Sequence, residues 1–220
     1  MPLRQAKGNM YEWLTHTWNP IKGRCAHDCS YCYMKRWGEL PDLRLDSKEM
    51  ETDLGKDNFI FIGSSTDIFA DNVPESWIRK VLFHTSKFDN RYLFQTKNPS
   101  RFRTFFALFP EKTVLGLTLE TNRDYVISKA PSPIERVVGI TPLTDAGLPI
   151  MVTIEPVMEF DLKQLVRLVR ITRPQWVNIG ANTRRDVKLP KPSIHKVNEL
   201  TKELKRFTRV HLKSNLRFLG

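Results

Sequence analysis

The feature that most limits the fold of this chain is a rhythm of short apolar runs, each closed by Gly, Pro or Asn and separated by helix-spaced segments. Residues 59–62 (Phe-Ile-Phe-Ile) stop at Gly63-Ser64-Ser65, and residues 91–96 stop before Asn98-Pro99. Runs at 114–119, 149–154 and 176–179 follow, with a shorter one at 210–212. Such runs predict strands buried on both faces. Between them, 74–87 sets Trp77, Val81 and Leu82 on one face, with Pro74 near the helix start, where its missing N–H costs little. Residues 161–172 align Leu162, Leu165, Leu168 and Val169 behind an Asp161 cap, and 193–207 begin at Ser193 in the same role. Strands alternating with helices predict βαβ units and a parallel sheet that closes into a full or partial barrel, or lies open. Handed crossovers then place every strand-to-helix loop at one end, where sites form.

The 220 residues suffice for one substantial core. No stretch of about 18 apolar residues is present, which argues against a membrane span. The polar start, Pro2-Leu3-Arg4-Gln5-Ala6-Lys7, lacks the apolar segment of a signal peptide, so the expected location is cytoplasmic. Lys plus Arg is 35 and Asp plus Glu is 24, a formal +11 that favours anionic partners, nucleic acid first among them. Part of that charge lies in Lys202, Lys205, Arg206, Arg209, Lys213 and Arg217, interleaved with Phe207, His211 and Phe218. Basic groups among aromatics suit phosphate contact and base stacking, and equally describe the outer face of a helix followed by a strand.

All three cysteines fall within eight residues, as Cys25-Ala26-His27-Asp28-Cys29-Ser30-Tyr31-Cys32. An odd, clustered set excludes a disulfide scaffold. Thiolates are soft ligands for zinc or iron–sulfur centres. A structural zinc needs a fourth ligand, for which His16 and His27 are available. A [4Fe–4S] cube held by three thiolates keeps one iron without a protein ligand. A redox thiol group is the remaining alternative.

The C-x3-C-x2-C spacing with Tyr31 before the last cysteine resembles the signature of the radical S-adenosylmethionine (radical SAM) superfamily. The resemblance implies an α/β fold, a partial (β/α)6 TIM-type barrel with parallel strands, with the motif on the loop after the first strand. It implies one domain over 1–220, with an N-terminal arm at 1–12 and the barrel at 13–215. Cys25, Cys29 and Cys32 would hold a [4Fe–4S] cluster, and S-adenosylmethionine (SAM) would chelate the open iron. Reduction by an external donor of flavodoxin or ferredoxin type would cleave SAM to a 5′-deoxyadenosyl radical that abstracts hydrogen from a substrate. Tyr31 would lie beside the adenine.

Further positions extend the likeness. The loop after the second strand usually binds the SAM amino group with a glycine-rich, acid-ending motif. Its glycine pair is absent here, and Ser64, Ser65, Thr66 and Asp67 offer the acceptors. Asp67 is equally placed to cap the following helix. Glu120 and Asn122, after the fourth strand, stand where the family puts a ribose ligand. Glu155 ends the fifth strand, where a carboxylate needs solvent or a cation. Lys97 and Lys213 are candidate partners for it, and equally for the SAM carboxylate or a substrate phosphate. Asn178 and Asn182 flank Gly180, where a small residue would let a ligand approach the backbone. The order Trp18-Asn19-Pro20, Ser65-Thr66-Asp67, Thr96-Lys97-Asn98-Pro99, Glu155-Pro156 resembles a phage- and prophage-associated branch over about residues 10 to 215. It departs at Gly180-Ala181-Asn182-Thr183, where that branch has a Gly-Gly-Glu-Ser-like turn. The branch is distantly similar to spore photoproduct lyase.

With every cysteine in one loop, none is left for a second cluster or as a hydrogen donor. If a protein group returns a hydrogen atom, a tyrosine such as Tyr33, Tyr92 or Tyr125 must do so; otherwise SAM is regenerated, or the product is left oxidised or rearranged. Trp13, Trp18 and Trp37 are expected to wall the cluster from water and oxygen, with stacking of one of them on a base as the alternative. The substrate expectation is nucleic acid or a nucleotide. A peptide substrate, or a nucleic-acid-binding module with a structural metal, are the rivals.

Overall fold

This computed structural model describes residues 2–184 and 186–219, with side chains described to 216. The strands are β1 Arg4–Gln5, β2 His16–Trp18, β3 Ile21–Lys22, β4 Arg44–Leu45, β5 Phe59–Ile62, β6 Arg91–Thr96, β7 Thr113–Thr118, β8 Ile150–Ile154, β9 Trp176–Ile179 and β10 Arg209–Leu212. The helices are α1 Glu75–Thr85, α2 Pro133–Asp145, α3 Leu162–Ile171 and α4 Ile194–Leu204. The main sheet runs β1-β2-β5-β6-β7-β8-β9-β10, and β3 and β4 form a separate antiparallel pair. Every pairing from β2 to β10 is parallel, and only β1 is antiparallel to its neighbour. The sheet is thus a βα series with one more parallel strand than the six expected, because the short 210–212 run also pairs.

Alternation along the strands divides the core in two. Ile60, Ile62, Phe94, Leu115, Leu117, Val152, Ile154, Val177 and Ile179 belong to the larger core, which also takes the buried faces of the four helices. Phe61, Leu93, Val114, Met151 and Trp176 form a second cluster on the other face, together with Tyr11 and Leu14. The N-terminal arm therefore fills the inside of the sheet. Trp13 stacks on Tyr11 at 5.1 Å and meets Trp176 edge-on at 5.2 Å.

Moving two residues up each strand from this apolar layer leads to Gln95, Thr153 and Asn178. The next step reaches Lys97, Glu155 and Gly180. The inner face thus grades from apolar to polar to charged toward the C-terminal strand ends.

The helices carry three local surprises. Residues 133–145 have no helix assigned from the sequence, yet Ser132 and Glu135 form a reciprocal capping box with Pro133 behind it. That Ser-x-x-Glu signal was available; interior Gly139 and Pro142 weaken the helical pattern around it. Asp161 sits at the start of α3 but makes no side-chain cap, because Arg123 holds its carboxylate. Ser193 does cap α4, accepting from the Lys196 N–H. On α1, Ile78, Val81 and Leu82 are the buried residues, and Trp77 is only half-buried.

Among the described residues, no helix is long and apolar enough to cross a membrane. In the basic C-terminal stretch, Lys202 on α4, Lys205 and Arg206 just after it, and Arg209 on the edge strand β10 are exposed. The side chains of Arg217 and Phe218 lie outside the described ones.

Candidate active site

A cavity of about 440 Å³ opens at the C-terminal ends of the parallel strands. This is within the range of small-molecule sites. Cys25, Cys29 and Cys32 all line it, as do Tyr31, Ser64, Ser65, Asp67, Lys97 and Glu155.

The cysteine loop has no regular structure, so its shape depends on bonds to its surroundings. Within it, the Asp28 N–H donates to the Cys25 carbonyl at 3.3 Å and the Cys32 N–H to the Cys29 carbonyl at 3.1 Å. Asp28 adopts the left-handed region at φ 44° to make this turn. From outside, Ser30 N–H donates to Ile127 O and Lys129 N–H to His27 O, at 2.8 and 2.7 Å. The Asn72 side chain accepts from Ala26 N–H and donates to Arg24 O.

Asp67 locks this loop to the strand ends. One of its oxygens accepts from His27 Nε2 at 2.8 Å, Thr96 Oγ1 at 2.9 Å and the Lys97 N–H at 2.9 Å. The other accepts from the Phe69 N–H at 3.0 Å, closing a local turn; the expected cap of the following helix is not made, since α1 starts at Glu75 behind Pro74. Burial opposes its ionisation, but His27 and the N–H donors outweigh it and hold the carboxyl below its ordinary value. Both oxygens are therefore engaged by protein donors. Ser64 and Ser65 instead donate their hydroxyls to Asn19 Oδ1, at 3.2 and 2.9 Å, and retain oxygen lone pairs on the cavity side.

A second network stands behind Tyr31. The Tyr31 hydroxyl donates to Glu120, Arg136 Nη1 meets the other Glu120 oxygen at 2.6 Å, and Lys97 Nζ lies 3.7 Å away. Burial opposes the Glu120 charge, yet Arg136, Lys97 and Tyr31 bring its carboxyl down to about 2. Glu120 is 2% exposed and does not line the cavity. Glu120, expected at the ribose, is here paired with Arg136, which reaches in from α2. Asn122, expected beside it, is engaged at the start of α3. Its side chain accepts from the Asp161 N–H at 2.8 Å and donates to Gln164 at 2.9 Å, so it caps α3 outside the cavity.

Lys97 reaches the cavity with its ammonium 5.5 Å from the Tyr31 ring centre. Burial would depress it, but Cys29 and Glu120 outweigh burial and keep it above its ordinary value. Lys213, not Lys97, pairs with Glu155, at 2.9 Å. The same carboxylate accepts from Asn9 Nδ2 at 2.9 Å, and Lys213 also donates to the Asn9 carbonyl. A Cβ at Gly180 would lie 2.7 Å from Glu155 Cδ, so this glycine makes room for the Glu155 side chain rather than for a ligand.

Other expectations shift. None of Trp13, Trp18 and Trp37 lines the cavity; Trp18 is buried and Trp37 is 69% exposed. Of the proposed tyrosines, Tyr33 lines it, its hydroxyl on Ser64 O at 3.0 Å and pushed up to about 12, chiefly by burial. Tyr92 is buried in the outer core and Tyr125 lies away from the cavity. The sequence reading missed Asn9 and Tyr11, whose hydroxyl donates to Gln95 at 2.9 Å on the cavity floor. Nothing local in the arm marks them.

Burial pushes the Cys25 thiol up to about 11, aided by Asp67 and Cys29, and raises Cys29 as well. A metal centre bound here displaces those protons. Among the described residues, no three His, Cys, Asp or Glu side chains converge closely enough to enclose a single ion. His27 is occupied by Asp67, and His16 begins β2 while the cysteines follow its end.

No protein-family model matches the sequence, and no curated protein matches it. Solved structures do match. A spore photoproduct lyase variant with bound AdoMet and a dinucleoside spore photoproduct superposes with a TM-score of 0.60 at 14% identity, over 94% of this chain and 66% of that one. Streptococcus suis SuiB bound to S-adenosylmethionine gives 0.61 at 11% identity, over 89% of this chain and 49% of that one. A radical SAM methyltransferase from Sphaerobacter thermophilus gives 0.62 at 16%, over 92% and 67%. The chain thus spans about two thirds or less of these proteins' lengths. At these identities the likeness shows the fold: this chain has the α/β partial barrel of the radical SAM enzymes.

Proposed function

We propose that this chain is a radical SAM enzyme that holds one [4Fe–4S] cluster on Cys25, Cys29 and Cys32, binds SAM beside it and acts on nucleic acid or a nucleotide. The observation that carries the reading is the convergence of all three thiols on one cavity at the C-terminal strand ends of this fold. The donor set fits the group. Three soft sulfurs line one cavity and suit an iron–sulfur cluster, and His27, the histidine within the loop, is taken by Asp67. When bound, this cofactor pair supplies reductive cleavage of SAM and a carbon radical able to take a hydrogen atom.

The residues of the chain supply the setting. Lys97 is a half-buried cation at the cavity and fits the SAM carboxylate. The Ser64 and Ser65 oxygens fit its ammonium. Tyr31, fixed through Glu120 and Arg136, gives an immobile aromatic wall. The Glu155–Lys213 pair offers a carboxylate for hydroxyl or amino groups. Cys29 and Tyr31 are nearly fully buried, which keeps water from this wall. The formal +11 supports an anionic substrate, and a spore photoproduct lyase with the same fold holds a dinucleoside photoproduct.

Anaerobic reconstitution with iron and sulfide is expected to give a brown protein with about four irons per chain. On reduction it forms 5′-deoxyadenosine, and DNA, RNA or nucleotides stimulate that formation. Cys29→Ala loses both colour and cleavage. A colourless protein with stoichiometric zinc would overturn the proposal.

A further inference from the structure

Cys25 has a second exposure. Besides the inner cavity, it lines a hollow of about 410 Å³ on the outside of the cysteine loop. Neither Cys29 nor Cys32 lines that hollow. Ala26, Leu40 and Asn72 line it beside Cys25. Three cations stand around it: Arg24, Lys35 and Lys129. The carboxylates there are already paired, Asp28 with Lys35 at 2.7 Å and Lys129 at 3.5 Å, and Glu39 with Arg24 at 2.6 Å. Three cations against two carboxylates leave the rim net positive, within a chain of +11. Lys129 is 76% and Arg24 51% exposed, so both remain free to change partner. Trp37, next to Gly38 of the hollow, is 69% exposed and adds a rigid aromatic anchor of the kind that dominates protein interfaces.

We propose that this outer hollow is the docking face for a small acidic one-electron carrier of the flavodoxin class. The proposal rests on the reading of Cys25, Cys29 and Cys32 as cluster ligands. A substrate must reach the inner cavity, where it fills the space with SAM. An electron needs only a short path, and Cys25 is the ligand whose outer side stays open. A nucleic acid on this face would have its reacting atoms on the wrong side of the cysteine loop. One electron passes from the reduced flavin, which is oxidised by one electron, to the cluster, which gains it; no proton or leaving group moves. Electron-transfer contacts are small and weak, which suits a face of this size steered by charge.

The test compares the reconstituted protein with Lys35→Glu/Lys129→Glu. A control, Lys202→Glu/Lys205→Glu on α4, makes the same change in formal charge far from the hollow. Two quantities are read: the anaerobic rate of cluster bleaching after mixing with reduced flavodoxin, and equilibrium binding of oxidised flavodoxin by flavin fluorescence. The hollow variant is expected to be reduced roughly tenfold more slowly and to bind correspondingly more weakly, with added salt slowing the parent protein toward it. Dithionite is expected to bleach all three proteins at one rate. Trp37→Ala is expected to weaken flavodoxin binding as well, and serves alone if the double variant does not fold. Equal flavodoxin rates with intact dithionite reduction would overturn the docking face and leave the cluster reading standing. Equal slowing in the α4 control, or loss of polynucleotide binding in its place, would overturn it too. A parent protein that takes up no cluster would overturn both.

Discussion

Arg136→Met tests the least sequence-legible part of the site, the ion pair behind Tyr31. The side chains of Glu120 and Arg136 are 3% and 5% exposed and 2.6 Å apart. Removing one partner of such a pair strands a buried charge and costs about 3–5 kcal/mol. Arg136 also donates to the carbonyls of Pro131 and Thr118, at 2.6 and 3.1 Å, so the upper part of that range is expected. Against a total stability of about 5–15 kcal/mol this is a large fraction. The pH dependence has a definite sign. The native Glu120 carboxyl, at about 2, sits below its ordinary 4.5. Its contribution is therefore full above about pH 4.5 and is lost as the pH falls toward 2. In Arg136→Met burial meets only Lys97 and Tyr31, and the carboxyl moves up. The deficit relative to the parent is then largest at neutral pH and shrinks in acid as the stranded group takes a proton. Urea unfolding of the cluster-free protein, followed by circular dichroism across this range, measures it. Adding Glu120→Gln to Arg136→Met is expected to recover about half of the loss, because the uncompensated charge is gone. A neutral-pH cost below about 1 kcal/mol, or a deficit that does not change with pH, would refute the reasoning.

Two further substitutions probe the loops that meet the cysteines. Gly63 has φ +78°, and an added Cβ would lie 2.6 Å from Ile68 Cγ2 and 2.8 Å from the Thr66 carbonyl. Gly63→Ala is expected to cost about 2 kcal/mol or more and to lower the Tm by about 4–8 °C; a Tm within about 1 °C of the parent would contradict the strain. Asp67→Asn removes the charge that His27 and three other donors share. It is expected to cost about 2 kcal/mol and to lower iron uptake on reconstitution by loosening the cysteine loop, with iron content after desalting as the measure. Full iron content at parental stability would show that the loop is held without it.

Most of the scaffold was legible because its signals are local. The run at 59–62 is β5, the runs at 114–119 and 149–154 match β7 and β8 to within one residue at either end, and the Ser193 cap is where the sequence put it. The fault at Asp161 shows the limit. Its residue type fits a cap, but Arg123, five residues past the end of β7, claims the carboxylate from another segment. The same limit governs the site. The family likeness made Glu120 and Asn122 plausible ligands, and only the packing of α2 and α3 paired them with Arg136 and with Asp161.

By itself the sequence determined the alternation that makes a parallel sheet, the end of that sheet where loops gather, and the three thiols placed in one of those loops. These follow from period-two alternation, turn residues and donor chemistry, all readable within a few residues. Tertiary structure decided which charges stay available. It paired Glu155 with Lys213 from the last strand, gave Asp67 to His27, sent the arm with Asn9 and Tyr11 into the inner face, and opened Cys25 to the outside. Those outcomes depend on how the arm, loops and strand ends pack together, which joins residues that the chain separates widely and no local pattern marks as partners.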